Sequence, residues 1–219
     1  IGLNAISGLK KEETKTIESN AVLLLDFKSI ISDRSPSEEM EFIGQLSGGS
    51  SAQIGLLDMI NKIDAAAKDS RIKGIFMDFT VFGGGFAKAE ELRNALEKFK
   101  TSGKFIYAYS DYYYNSTYYL ASVATKVFMN PQGEMIFNGL VSDITFFKGA
   151  LEKLGIEVQV IKRGKFKGAV EPYIREDLSE ENRLQIKTYI NSVFNELVAD
   201  IAKSRKLTPE AILAVADSM

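Results

Sequence analysis

Two lysines stand two residues apart in RGKFKGAVEP, Arg163 to Pro172, ahead of a small-residue turn and a glutamate. A lysine takes up a proton only when its amine is neutral, and at a free pKa of about 10.4 roughly one in a few thousand is neutral at pH 7. Burial among apolar neighbours lowers that pKa by up to about 3 to 5 units. Lys167, flanked by Phe166, Gly168, Ala169 and Val170, has the more apolar setting. Lys165, closer to Lys162 and Arg163, reads as surface charge. On spacing alone a solvated lysine at a strand end is the plainer reading, and the choice between base and surface charge stays open.

A base other than histidine is required for any hydrolytic chemistry here, because none of the 219 residues is histidine. A Ser-His-Asp triad and a histidine metal cage are excluded. The absence of cysteine excludes disulfides, thiolate metal sites and a cysteine nucleophile. No cofactor and no metal are expected. The 27 basic and 29 acidic residues leave a net charge of -2, so no overall field draws the chain to nucleic acid.

Each remaining position that can do chemistry also has a structural explanation. Gly83 to Gly85 of VFGGGF follow a strand and precede a helix, where backbone N–H groups can receive an oxyanion. They lack the dinucleotide spacing and the P-loop Lys-Ser/Thr, and a tight turn is the plainer reading. YSDYYYNSTYYL holds six of the nine tyrosines and fits either packing under a loop or a groove or subunit interface. Ser110, Ser116 and Ser122 lie nearby outside any Gly-flanked nucleophile turn, and read as caps or packing residues. Asp26, Asp78 and Asp111 close or follow strands, where α/β enzymes place ligands, but read first as loop caps.

The elements that must position these residues are legible as alternating apolar runs and amphipathic stretches. Strands are expected at AVLLLDF (21–27), IKGIFMDF (72–79), KFIYAYS (104–110), KVFMN (126–130) and IEVQVIKR (156–163). Helices are expected through Ile54, Leu57, Met59, Ile60 and Ile63, through Leu92, Ala95, Leu96 and Phe99 up to a stop at Gly103, over NSTYYLASVA, and over FFKGALEKLG. PQGE reads as a turn, and residues 33–51 as a mobile loop. The alternation predicts an α/β domain with a parallel sheet covered on both faces. A long helix starts at the cap Ser179, and another at Thr208 with Pro209 in its first position. The expected organisation is a polar lead-in over 1–20, an α/β core over 21–178 and a helical extension over 179–219. No apolar run approaches the roughly 18 residues that span a bilayer. The start at Ile1 and the end at Met219 lead us to expect a removed upstream anchor or targeting segment and a missing continuation.

AVLLLDF, IKGIFMDF with its following glycine pair, the run from ALEKFK to NPQG, and above all GKFKGAVEPYIREDLSEENR together resemble the signal peptide peptidase A (protease IV) family in its long two-repeat form. The resemblance covers most of the chain from about residue 20 onward. It implies a Clp protease/crotonase-like fold of βαβ units and a Ser/Lys dyad in which the lysine amine takes the serine proton. The lysine before AVEP is where the long-form family carries its general base, which here is Lys167, with Lys165 the weaker alternative. The family nucleophile is a serine followed by two glycines and an aromatic. At the matching place this chain reads NSTYY, with Asn115 in the serine's position, so the nucleophile is expected in the second repeat. Gly84 and Gly85 occupy the place of the peptide-binding and oxyanion loop, and Asn115 is carried as a substrate-side position.

The resemblance further implies a homo-oligomer, with a tetramer expected, anchored on the outer, periplasmic face of the bacterial inner membrane. Its substrates are released hydrophobic signal peptides, its partner is the second repeat of the same chain, and this part alone is expected to be inactive. Two other readings compete. One is a non-catalytic scaffold repeat of the same superfamily, and the other an acyl-CoA enzyme that stabilises a thioester enolate with two backbone N–H groups.

Overall fold

The computed structural model describes residues 17–28, 31–37 and 55–218. Its centre is a four-stranded sheet in the order β1-β2-β3-β4, formed by Ala21–Phe27, Ile72–Phe79, Phe105–Tyr114 and Lys126–Ile136. All three pairings are parallel, so every connection must cross over, and helices supply the crossovers. α1 (Leu56–Lys68) leads into β2, α2 (Gly85–Lys100) into β3, and α3 (Asn115–Ala121) into β4.

Strand alternation assigns the two faces. Leu25 and Phe27, then Ile75, Met77 and Phe79, then Ile106 and Ala108 point into one core. Met59, Ile63 and Ala66 of α1 and Ala89, Leu92, Leu96 and Phe99 of α2 close over them at helical spacing. Leu57 points outward; the apolar stripe of α1 starts instead at Leu56, and Ile54 lies outside the described residues.

Among the described residues the opposite face does not carry the second helical layer expected from the sequence. In register across it run Leu24, Phe76 and Tyr107, followed by Asp26, Asp78, Tyr109 and Phe128. Val22, Leu24 and Phe128 are exposed there among the described residues. The fifth strand expected at 156–163 is also not formed: the segment is irregular, and Ile156 and Ile161 are exposed. A strand exists only by pairing, and no described strand lies beside this segment.

Two boundaries shift for local reasons. β3 continues past Ser110 to Tyr114, with a change of phase at the register shift after which Tyr113 is the buried position. PQG is not a turn between strands but a bulge within β4, since Ser110 faces Met129 while Tyr112 faces Glu134. Asn130 folds the extra residues back, its Oδ1 accepting from Gln132 N at 3.0 Å and its Nδ2 donating to Asp111 at 3.0 Å.

Beyond β4 the chain forms α4 (Lys148–Lys153), a 3-10 turn at Gly168–Val170, and α5 (Glu171–Ile174). α6 (Glu180–Arg205) and α7 (Pro209–Ser218) follow, their starts set by Ser179 and Thr208 as expected. Leu197, Val198, Ile201 and Ala202 of α6 and Ile212 and Ala216 of α7 join the main core. The first half of α6 projects beyond it, with Leu184 and Tyr189 exposed.

Candidate active site

Gly84 and Gly85 start α2, and the backbone favours glycine at Gly85. Gly85 has φ +72°, a left-handed conformation that disfavours a side chain. A Cβ on Gly84 would come within 2.5 Å of the Phe82 ring. The α2 start, where the first N–H groups have no partner within the helix, lines a groove of about 560 Å³ with Phe86, Lys88, Glu90 and Tyr119 on one side and Tyr189, Val193 and Glu196 of α6 on the other.

A buried polar cluster fixes α6 against this groove. Arg93, 2% exposed, lies with its guanidinium 4.6 Å over the Tyr119 ring. It donates to the Tyr119 carbonyl, to Ser122 Oγ at 2.7 Å, to the Asp200 carbonyl at 2.8 Å and to Ser204 Oγ at 2.6 Å. The Asp200 carboxylate stands 3.6 Å from Arg93 Nε and accepts the Tyr119 hydroxyl at 2.6 Å. Burial, together with that carboxylate, pushes the Tyr119 phenol far above the usual tyrosine range, so it stays a hydrogen-bond donor.

Lys167 precedes the 3-10 turn and is exposed. It lines a recess of about 370 Å³ with Phe166, Gly168 and Ala169, faced by Asn182, Gln185, Ile186 and Tyr189 of α6. Tyr189, 70% exposed, is common to this recess and to the groove at Gly84–Gly85. Lys165 opens on a different recess, with Lys162, Glu171, Arg175, Ser179 and Glu181.

The turn that carries Lys167 is locked from behind by Glu171, 1% exposed. Its carboxylate accepts from Ser179 N at 3.0 Å, from Ser179 Oγ, and from Asn182 Nδ2 at 3.1 Å. Burial alone would raise this carboxyl, but the hydrogen bonds from Ser179 and Asn182 outweigh it and hold it below its usual range. Gly168 is tight against the same clamp, since a Cβ there would overlap the Asn182 amide. On the other side Phe147 stacks on Tyr173, ring centroids 5.9 Å apart, and its N–H donates to the Pro172 carbonyl at 2.7 Å.

The remaining sequence candidates are used structurally. Asn115 opens α3 and forms a reciprocal pair with Asn138: its Nδ2 donates to the Asn138 carbonyl at 2.9 Å and its Oδ1 accepts from Asn138 N at 3.1 Å. It lines neither the groove nor the Lys167 recess. Ser110 Oγ donates to the Phe79 carbonyl at 2.8 Å, and Ser122 Oγ to the Tyr119 carbonyl at 2.8 Å. Asp26 pairs with Lys28 at 2.7 Å, and Asp111 accepts from Tyr109 and Asn130. The tyrosine run divides: Tyr113 and Tyr119 are buried, whereas Tyr112 and Tyr114 are exposed.

Sequence reasoning missed Tyr189 and Glu171. In the sequence Tyr189 is one more largely apolar residue of the long helix that starts after Ser179. Its spacing of four from Val193 and eight from Leu197 does place it on the core-facing side, one turn beyond the point where the core ends. The signal for Glu171 was the motif glutamate itself, eight residues before a helix cap.

A parallel α/β sheet with a glycine start and a lysine turn flanking one helix places the chain in the Clp protease-like class of folds. The sequence profile of peptidase family S49 matches residues 98–219. Protease 4 of Salmonella typhi is 31% identical over 219 residues, 97% of this chain and 35% of that protein. Protease 4 of Haemophilus influenzae is 30% identical over 211 residues, 94% of this chain and 34% of that protein. The chloroplastic serine protease SPPA of Arabidopsis thaliana is 29% identical over 179 residues, 82% of this chain and 25% of that protein. The chain belongs to peptidase family S49, and it spans about one third of the length of the two bacterial relatives.

Proposed function

We propose that this chain is the lysine-bearing part of a serine-type endopeptidase that degrades released signal peptides. In this reading Lys167 is the general base and the nucleophilic serine comes from a second repeat of the same protein. The amine takes the proton of the serine hydroxyl as its oxygen attacks the peptide carbonyl, then returns the proton to the leaving amine. The N–H groups at Gly84–Gly85 hold the peptide or the developing oxyanion. The same reading has the protein anchored at the bacterial inner membrane with this region on the periplasmic side, assembled as a homo-oligomer, with this part inactive alone. Among the described residues no helix is long and apolar enough to cross a membrane, so the anchor in this reading is a separate segment.

The observation that carries the proposal is the sharing of Tyr189. A peptide laid along the exposed first half of α6 meets Lys167 in one recess and the start of α2 in the next. Lys165 opens on a polar recess away from that path, which favours Lys167 as the base. Asn115, with both ends of its amide committed to Asn138, is given no part in binding substrate.

A second reading, a repeat that only scaffolds the protein, is favoured by the exposure of Lys167, since the described residues do not provide the apolar cover that a neutral amine needs. Cleavage of a fluorogenic hydrophobic peptide by the full-length protein separates the two. Under the peptidase reading Lys167→Ala lowers kcat/KM by about 10³-fold or more, as removal of one member of a catalytic unit does. Lys165→Ala stays near wild type. Unchanged cleavage by Lys167→Ala would leave the scaffold reading standing.

A further inference from the structure

The groove beside Gly84–Gly85 carries a charge pattern that the peptidase chemistry itself does not require. α2 and α6 run side by side in the same direction: Arg93 meets Asp200, and one turn further along Glu97 accepts from Ser204 Oγ at 2.8 Å. One turn in the other direction from the Arg93–Asp200 contact lie Glu90 on α2 and Glu196 on α6, and both line the groove. The two carboxylates therefore stand on facing walls, and neither takes part in a hydrogen bond or ion pair among the described residues. Among the described residues the one cation in the lining, Lys88, is already committed. Lys88 Nζ donates to the Ile31 carbonyl at 2.8 Å and pairs with Asp33 at 3.0 Å. The same lining carries the apolar side chains of Phe86 and Val193 and the nearly buried Leu197.

Two unpaired carboxylates across an apolar groove repel each other, and a cation placed between them relieves that repulsion while an anion adds to it. We propose that the groove selects a peptide segment in which an apolar side chain neighbours a lysine or arginine. The apolar side chain seats on Phe86, Val193 and Leu197, and the cation lies between Glu90 and Glu196. This inference rests on the reading of the groove as a peptide site and adds to it the charge of the segment that fits. Both carboxylates are solvent-accessible, so the selection weakens with salt.

The test uses the full-length protein and a set of peptides built around one leucine, with lysine, glutamine or glutamate at each neighbouring position in turn. At low ionic strength the best lysine peptide should have a KM about tenfold below its glutamate counterpart, and the gap should shrink at about 0.5 M salt. In the double variant Glu90→Gln/Glu196→Gln the lysine and glutamine peptides should come within about twofold of each other. Equal KM values for lysine and glutamate peptides in the wild type, or a lysine preference that survives in the double variant, would overturn the inference while leaving the peptidase reading intact. A protein that cleaves none of the peptides would count against the peptidase reading alone. Fluorescence anisotropy of the same peptides, labelled, then decides the groove without cleavage: preferential binding of lysine peptides that the double variant abolishes supports the inference, and indifference to charge overturns it.

Discussion

Glu171 shows how a single buried carboxylate can set the position of a candidate catalytic turn. It closes the stretch from Lys167 onto the start of α6 through Ser179 and Asn182. Glu171→Ala would strip three donors of their acceptor and is expected to cost roughly 2 to 3 kcal/mol in chemical denaturation. The carboxyl is held below its usual range in the folded protein, so its contribution is present above the ordinary glutamate pKa and is lost as pH falls through the depressed folded value. Urea unfolding measured from neutral pH into the acid range should therefore show a steeper acid loss for wild type than for Glu171→Gln. Identical slopes would mean that the clamp is not titrating. At this scale the sequence revealed residue types but not partners. Ser179 was recognisable as a cap from its position before a helix, whereas its second role, donating to a carboxylate eight residues earlier, depends on how the intervening chain folds back. Lys167 was legible as a candidate from its apolar neighbours and its motif, and its exposure agrees with the solvated lysine that spacing alone suggests.

Among the elements, α6 has the most to do. Its second half is core, its first half is the shared wall of two recesses, and Arg93 joins it to α2 and α3. Arg93→Met preserves volume but leaves Asp200, Ser122 and Ser204 without the cation, and should destabilise by roughly 3 kcal/mol. In the full-length protein it should also raise KM for peptide more than Ile201→Val does, because Arg93 sets the groove width and Ile201 only fills the core. An equal effect of the two would assign Arg93 to stability alone. The element pattern itself was largely readable. Apolar runs at 21–27 and 72–79 and the stripe Leu92, Ala95, Leu96, Phe99 formed where expected, since periodicity and burial agree there. The segment 156–163 has the right composition for a strand and no neighbour to pair with among the described residues, and pairing is not written in composition.

Across the whole molecule, one core lies on one side of the sheet and an aromatic face lies open on the other among the described residues. The asymmetry predicts a contrast in stability. Ile75→Ala, fully buried, should cost about 2 to 5 kcal/mol, whereas Leu24→Ala, exposed on the opposite face, should change unfolding of this chain by less than about 0.5 kcal/mol. A large loss for Leu24→Ala would show that the face is covered in solution. The expectation of two covered faces rests on the general behaviour of parallel sheets, and nothing in the apolar runs of β1 and β2 distinguishes the side that is left open.

In the proposed peptidase reading the Lys167 amine, reached along α6 from the Gly84–Gly85 groove, takes up the proton in peptide cleavage. Chemical rescue tests it most directly, because a small amine can replace a missing proton acceptor but cannot repair a fold. The full-length Lys167→Ala protein would be assayed on a hydrophobic peptide with methylamine added at increasing concentration, and with tetramethylammonium as a control that cannot accept a proton. Activity should rise with methylamine, follow the fraction present as free base as pH is raised, and not respond to tetramethylammonium. A Lys167→Ala protein that cleaves at near the wild-type rate without any amine, or one whose lost activity both additives restore equally, would contradict it.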